Sequence, residues 1–154
     1  MIKFEVVLDK YRKNINSVKL PQRATACSAG YDFYAPYDFV VEPKSEYFIW
    51  TDIKVKMPSD MVFEVIGRSS FGIKRNIFFK NLIAKIDADY YNNLGNDGNI
   101  GLCFYNNGDT SQEIKEGEAF CQGTFFKYFI TDDDCPVQIE RTGGIGSTGV
   151  KWIP

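Results

Sequence analysis

Short β-type runs, each closed by a turn signal after about eight to twelve residues, leave this chain few architectures. Lys3 to Leu8 alternates as a strand does. Ala29 to Ala35, AGYDFYA, is a second apolar run, and Pro36 ends it. Ile53, Val55 and Met57 alternate strictly with Asp52, Lys54 and Lys56, which predicts a half-buried strand with the charged residues facing water. Pro58-Ser59-Asp60 is a turn, and Met61 to Ile66 reads as a strand buried on both faces. Gly67 to Arg75 is the one helical candidate, a single short helix behind a Ser cap. Gly108-Asp109 is a turn and Glu113 to Gly117 a loop. The aromatics of Thr124 to Ile130 favour a strand, stopped by three consecutive aspartates, and Val137 to Glu140 reads as a last short strand. The expectation is an all-β sandwich, jelly roll or barrel. With no internal repeat and no linker, 154 residues make one domain.

The longest departure from this rhythm is Asn81 to Tyr105, NLIAKIDADYYNNLGNDGNIGLCFY. An apolar approach leads to Asp87 and Asp89, then Tyr90 and Tyr91. A turn rich in Asn and Gly and an apolar return follow. Two β-type runs around such a turn predict a β-hairpin with an unusually long loop. A carboxylate where a strand enters that loop can face a cavity and act as a general base. Equally, Asp and Asn are ordinary turn residues that bond to nearby backbone.

Composition narrows the chemistry. The sequence has no histidine, which removes Ser-His and Cys-His nucleophilic pairs and imidazole zinc sites. Base chemistry at neutral pH falls to a carboxylate, Lys, Tyr or a metal-bound water. The net charge of −2 predicts no broad nucleic-acid surface, so an anion must be met by local Arg, Lys or backbone N–H groups. Cys27, Cys103, Cys121 and Cys135 lack CxxC spacing and read as free thiols. No apolar run reaches membrane-helix length, and an intracellular, cytoplasmic protein is expected.

Three further stretches carry polar chemistry. Arg141 to Gly149, RTGGIGSTG, brings backbone N–H groups and hydroxyls together as a phosphate wrap or as a loose end. Gly67-Arg68-Ser69-Ser70 offers a guanidinium fork and two hydroxyls, or simply a helix cap and a surface Arg. Gly117 to Gly123 sets one amide, Gln122, at the end of an apolar segment.

Together these stretches resemble the five ordered motifs of the trimeric dUTPases. AGYDFYA is similar to the first, GRSS to the second, Asn81 with IDADY to the third, GEAFCQ loosely to the fourth, and GGIGSTG to the fifth. The resemblance runs from about Lys3 to Gly149. It implies a jelly-roll-like, distorted β-barrel with one short helix, assembling as a homotrimer. It divides the chain into a domain over 1–140 and a flexible Gly-rich arm over 141–154. It also implies Mg²⁺-dependent hydrolysis of dUTP to dUMP and pyrophosphate.

Carried onto this chain, Asp87 resembles the base that activates water for attack at the α-phosphorus, and Tyr90 the platform under the deoxyribose. The backbone of Ala84, Lys85, Ile86 and Asp87, with Gly101, resembles the reader of the uracil edge. Asn81 falls on the sugar or α-phosphate side. Arg68, Ser69 and Ser70 resemble phosphate contacts from a neighbouring subunit, and Gln122 the amide on an α-phosphate oxygen. Asp32 resembles the acid that reaches the metal only through water. Arg141, Ile145, Gly146 and Ser147 belong to the closing arm.

The chain also departs from the family pattern. Ala84, Gly67 and Ala119 replace a usual Gly, Pro and basic residue, and the turn between Tyr91 and Asp97 carries extra residues. Ile145 stands where an aromatic stacks on uracil, and Arg141 lies one residue nearer the glycines than usual. Two alternatives follow from the same resemblance. One is a dCTP deaminase, which would need a catalytic glutamate after the central stretch. The other is a regulator that binds a repressor-type protein partner, with Tyr91 to Gly98 as its handle or as a tolerated insertion.

Overall fold

The computed structural model describes residues 1–14, 17–136 and 140–146. The chain is mostly β with one short helix. In order come β1 (Lys3–Val6), β2 (Gln22–Arg23), β3 (Tyr31–Tyr34), β4 (Phe39–Val41), β5 (Glu46–Trp50), β6 (Ile53–Lys56) and β7 (Met61–Gly67). Helix α1 (Ser69–Arg75) follows, then β8 (Ile77–Phe79), β9 (Ala84–Asp87), β10 (Gly101–Asn106), β11 (Gln112–Ile114) and β12 (Ala119–Lys127). Among the described residues they form four sheets, ordered β2-β3-β12-β7-β9, β5-β10-β8, β1-β6 and β11-β4. Every pairing is antiparallel. The sheets stack in a jelly-roll-like arrangement and do not close into a barrel.

One continuous core joins them. Phe33 and Phe63 come from the five-stranded sheet, Ile49, Phe79 and Phe104 from the three-stranded one, Phe39 and Ile114 from β4 and β11, and Ile53 and Val55 from β6. Its density is set by aromatic rings at close approach. A Cβ on Gly123 would lie 2.1 Å from Cζ of Phe63, a ring with no solvent exposure. Gly123→Ala is therefore expected to destabilise by about 1–3 kcal/mol through overpacking. A denaturant midpoint unchanged from wild type would contradict that packing.

Tertiary pairing overrides several local expectations. The stretch 81–105 is not a hairpin, since β9 pairs with β7 and β10 pairs with β5 and β8. The connection is fastened elsewhere: Ile100 N–H donates to the Ile53 carbonyl and Thr51 N–H to the Ile100 carbonyl, both at 3.0 Å. Those bonds carry the chain from one sheet into another.

Asp52 and Lys54 do not face water either; both are buried. The Asp52 carboxylate accepts from the N–H groups of Lys13 and Asn14 and from the side-chain amides of Asn14 and Asn99. Lys54 Nζ lies 2.8 Å from Asp97 Oδ2 and 2.7 Å from Asn92 Oδ1. Their burial is tolerated because the Asp52 carboxylate is surrounded by N–H donors and Lys54 is paired with Asp97.

On β7 the residues Val62, Phe63 and Val65 are buried, whereas Ile66 is exposed, so that strand is not covered on both faces. Helix α1 starts at Ser69 with Arg68 as N-cap and no side-chain cap hydrogen bond, so the serine cap is not used. It stops at Asn76, a left-handed residue of the kind that ends helices. Strand β12 ends at Lys127 rather than Ile130, and Phe129 is fully exposed. Gln112–Ile114, part of which reads as loop in sequence, pairs with β4. The expected strand at 137–140 lies mostly outside the described residues.

Candidate active site

Strand β9 ends the five-stranded sheet, so one backbone edge of Ala84–Asp87 has no strand partner. Ala84 and Ile86 turn into the core, while Lys85 and Asp87 point outward. Across a gap lies the start of β10. There β8 pairs only from Phe104 onward, which leaves Gly101 open on that side. A Cβ on Gly101 would lie 2.5 Å from Phe48 and 2.9 Å from Trp50, so only glycine lets both rings close behind this backbone. The cleft between the two open edges has a volume of about 250 Å³. Asn81, Ala84, Lys85, Ile86, Asp87, Tyr90 and Gly101 line it, together with Arg141, Gly144 and Ile145. A second cavity of about 320 Å³ shares Asn81, Gly101 and Ile145 and extends to Phe48, Lys80 and Cys103.

Asp87 is the last residue of β9 and the N-terminal flank of a 3₁₀ turn, Ala88–Tyr90. That turn brings the Tyr90 ring back into the cleft. The Tyr90 hydroxyl donates to the Asn99 carbonyl at 2.7 Å and accepts from Asn96 Nδ2 at 2.6 Å. Burial pushes its phenol pKa up, so the ring stays neutral in ordinary buffers. Gly144 lies flat against the ring: a Cβ there would come within 2.9 Å of Tyr90 Cε2.

Arg141 binds two carboxylates at once. One terminal nitrogen lies 2.6 Å from Asp87 Oδ2 and its Nε lies 2.7 Å from Asp89 Oδ1. The Arg141 side chain is only 18% exposed, whereas Asp87 remains 54% exposed toward the cleft mouth.

The remaining expected residues gather elsewhere on this protomer. Gln122 is the cross-strand partner of Asp32, and Cys121 that of Gly67, so Gln122, Asp32 and Arg68 sit side by side. Arg68 Nε lies 3.5 Å from the buried Asp32 carboxylate, and a terminal nitrogen donates to the Ala119 carbonyl at 3.2 Å. Arg68 and Ser69 border a separate cavity with Ile66, Ile73 and Phe78, and Ser70 follows Ser69 in α1. None of these five residues lines the cleft of Asp87. Gly146 is described and exposed, with a positive φ; Ser147 lies outside the described residues.

Sequence reasoning left Asp89, Gly144 and Asn96 without roles at the site. The DAD spacing was visible, but which group Asp89 faces depends on the 3₁₀ turn and on the return of the arm. The Tyr91–Gly98 stretch is no loose insertion. Tyr91 bonds to Glu5, Asn93 Nδ2 donates to the Tyr90 carbonyl at 2.8 Å, and Asp97 accepts from Leu8 N–H at 2.8 Å.

Among the described residues no group of three His, Cys, Asp or Glu side chains is placed to hold a metal ion, and no helix is long and apolar enough to cross a membrane. The dUTPase family profile matches residues 16–149. The deoxyuridine 5'-triphosphate nucleotidohydrolase of Lactococcus lactis subsp. lactis is 37% identical over 147 residues, covering 95% of this chain and 96% of that protein. The same-named protein of fowlpox virus is 34% identical over 140 residues, covering 86% of this chain and 91% of its own. The crystal structure of dUTPase from Streptococcus mutans superposes with a TM-score of 0.74 at 30% identity, over 84% of this chain and 98% of that one. With an open-edged cleft, a carboxylate at its rim and these likenesses along nearly its whole length, the chain belongs to the dUTPase family.

Proposed function

We propose that the chain hydrolyses dUTP to dUMP and pyrophosphate, with Asp87 as the base that takes a proton from the attacking water. The observation that carries this reading is the position of Asp87. It stands at the end of a strand whose free backbone edge, with Gly101 opposite, lines one cleft. Open N–H and C=O groups there form hydrogen bonds to the edge of uracil, and tight backbone packing leaves no room for the methyl of thymine. Tyr90 supports the deoxyribose, with its hydroxyl already committed to Asn99 and Asn96. Asn81 borders the sugar side.

The site is completed by assembly. Arg68, Ser69, Ser70, Gln122 and Asp32 lie away from the Asp87 cleft of their own protomer, which supports a homotrimer in which a neighbour delivers them to the phosphates. The serine hydroxyls do not cap α1, and the Arg68 fork suits phosphate oxygens. A hydrated Mg²⁺ fits this donor set, since that ion keeps most of its water and binds substrate phosphates. Asp32 would contact it through water, and the ion would neutralise charge on the triphosphate.

The direct test is pyrophosphate release from dUTP and the four canonical deoxynucleoside triphosphates, with and without Mg²⁺. Release from dUTP alone is expected, with the metal required. Ammonia release from dCTP would replace the reading with the deaminase one.

Ile145 lines the cleft from the arm with φ of +48°, a conformation that β-branched residues resist. Ile145→Phe supplies a ring for stacking on uracil, worth about 0.5–1.5 kcal/mol beyond buried area. KM for dUTP should fall about 2- to 10-fold with kcat little changed. An unchanged KM would remove residue 145 from the base-stacking position.

A further inference from the structure

We infer that Asn96, in the turn between β9 and β10, is a positioning residue: it locks the Tyr90 ring so that the site separates deoxyribose from ribose, on the reading above in which that ring supports the sugar. None of residues 91–98 lines the cleft, so Asn96 acts only through Tyr90.

Two asparagines hold Tyr90 at both ends. The Asn93 amide nitrogen donates to the Tyr90 carbonyl at 2.8 Å and to Asn96 Oδ1 at 2.7 Å. The Asn96 amide nitrogen in turn donates to the Tyr90 hydroxyl at 2.6 Å. These bonds close a circuit from the carbonyl of Tyr90, through both side chains, to its phenol.

Backbone groups fix the direction of each bond. Asn93 Oδ1 accepts from the N–H groups of Gly95 and Asn96, both at 3.0 Å, so its amide nitrogen must face the other way. Asn96 Oδ1 accepts from Gly98 N–H at 3.1 Å, so its nitrogen faces the phenol. An amide nitrogen can only donate, which leaves the hydroxyl to give its own proton to the Asn99 carbonyl at 2.7 Å. Gly98, with φ of +84°, keeps the turn this tight: a Cβ there would lie 2.8 Å from the Tyr90 carbonyl oxygen.

The result is a wall that does not yield. Tyr90 is only 7% exposed, and its phenol both donates and accepts within the protein. Ribose carries one hydroxyl more than deoxyribose. A pocket that gives way rejects an added hydroxyl weakly, by about 10². A ring that cannot retreat turns that hydroxyl into a clash and denies it water without offering a partner.

The test is the ratio of kcat/KM for dUTP to that for UTP, read as pyrophosphate release. Asn96→Asp keeps the size of the side chain and loses its donor. The ratio should fall about three- to tenfold, as expected for one hydrogen bond. The added negative charge meets both triphosphates alike and cancels in the ratio. Asn96→Ala removes the amide outright, should give the same fall, and decides the matter if the aspartate disturbs folding. In a Tyr90→Phe background, where the hydroxyl is gone, neither substitution should lower the ratio further. For any variant too slow to assay, the Kd values of non-hydrolysable dUTP and UTP analogues supply the ratio.

A wild-type ratio in Asn96→Asp and Asn96→Ala overturns the inference. So does an equal fall in the Tyr90→Phe background, because the turn would then act by loosening the site as a whole. A wild-type protein with no preference for dUTP over UTP refutes the functional reading itself, and the role of Asn96 with it.

Discussion

Asp87→Asn is expected to lower kcat for dUTP by on the order of 10²–10⁴, the range lost when a positioned base is removed. The substitution keeps size and shape, and Asp87 is half exposed at a strand end, so folding and oligomer size should not change. Arg141 still has Asp89 as a partner, so the arm retains one of its two ionic contacts. KM should therefore move far less than kcat. Near-normal turnover in this variant, measured as pyrophosphate release, would take the base role away from Asp87.

Lys54→Ala has the largest expected effect on stability. Lys54 and Asp97 are 8% and 5% exposed, and removing one partner leaves a buried carboxylate with, among the described residues, only the Leu8 N–H. Breaking such a pair costs about 3–5 kcal/mol. In a domain of this size that lowers Tm by on the order of 10 °C. The double variant Lys54→Met with Asp97→Leu should recover much of the loss, because it removes both charges. A Tm for Lys54→Ala within about 2 °C of wild type would mean that the pair is solvated in solution. The effect should reach the cleft as well, since the same lysine holds the turn on which Tyr90 and Asn96 depend.

These two residues also show where sequence was a good guide and where it was not. The place of Asp87 in a cleft was legible because its neighbours IDADY form a compact motif at the end of a strand-like run. The short helix, the strands at Lys3–Val6 and Tyr31–Tyr34 and the all-β class were legible from local alternation and turn residues. Lys54 was misjudged for the same reason that its strand was found. Alternation reports which way a side chain points, not whether a distant loop covers that side. Here the loop around Asn92 and Asp97 covers it, supplying the partners that make burial possible. The split of β9 and β10 into different sheets was hidden likewise, because turn chemistry between two strands does not say that they pair. Asp89 was read as part of a motif without a task, since its partner Arg141 arrives from far along the chain.

The two open backbone edges of the cleft have a consequence for how this pocket withstands mutation. Amide and carbonyl groups are common to all residues except for the missing N–H of proline. On the function proposed above these groups read the base, and replacing Ala84 or Ile86 with another apolar residue would alter packing behind the strand while leaving them in place. Genetic drift at these positions therefore erodes stability before it erodes the choice of base. A laboratory effort to retune that choice would have to shift a strand, not exchange a side chain.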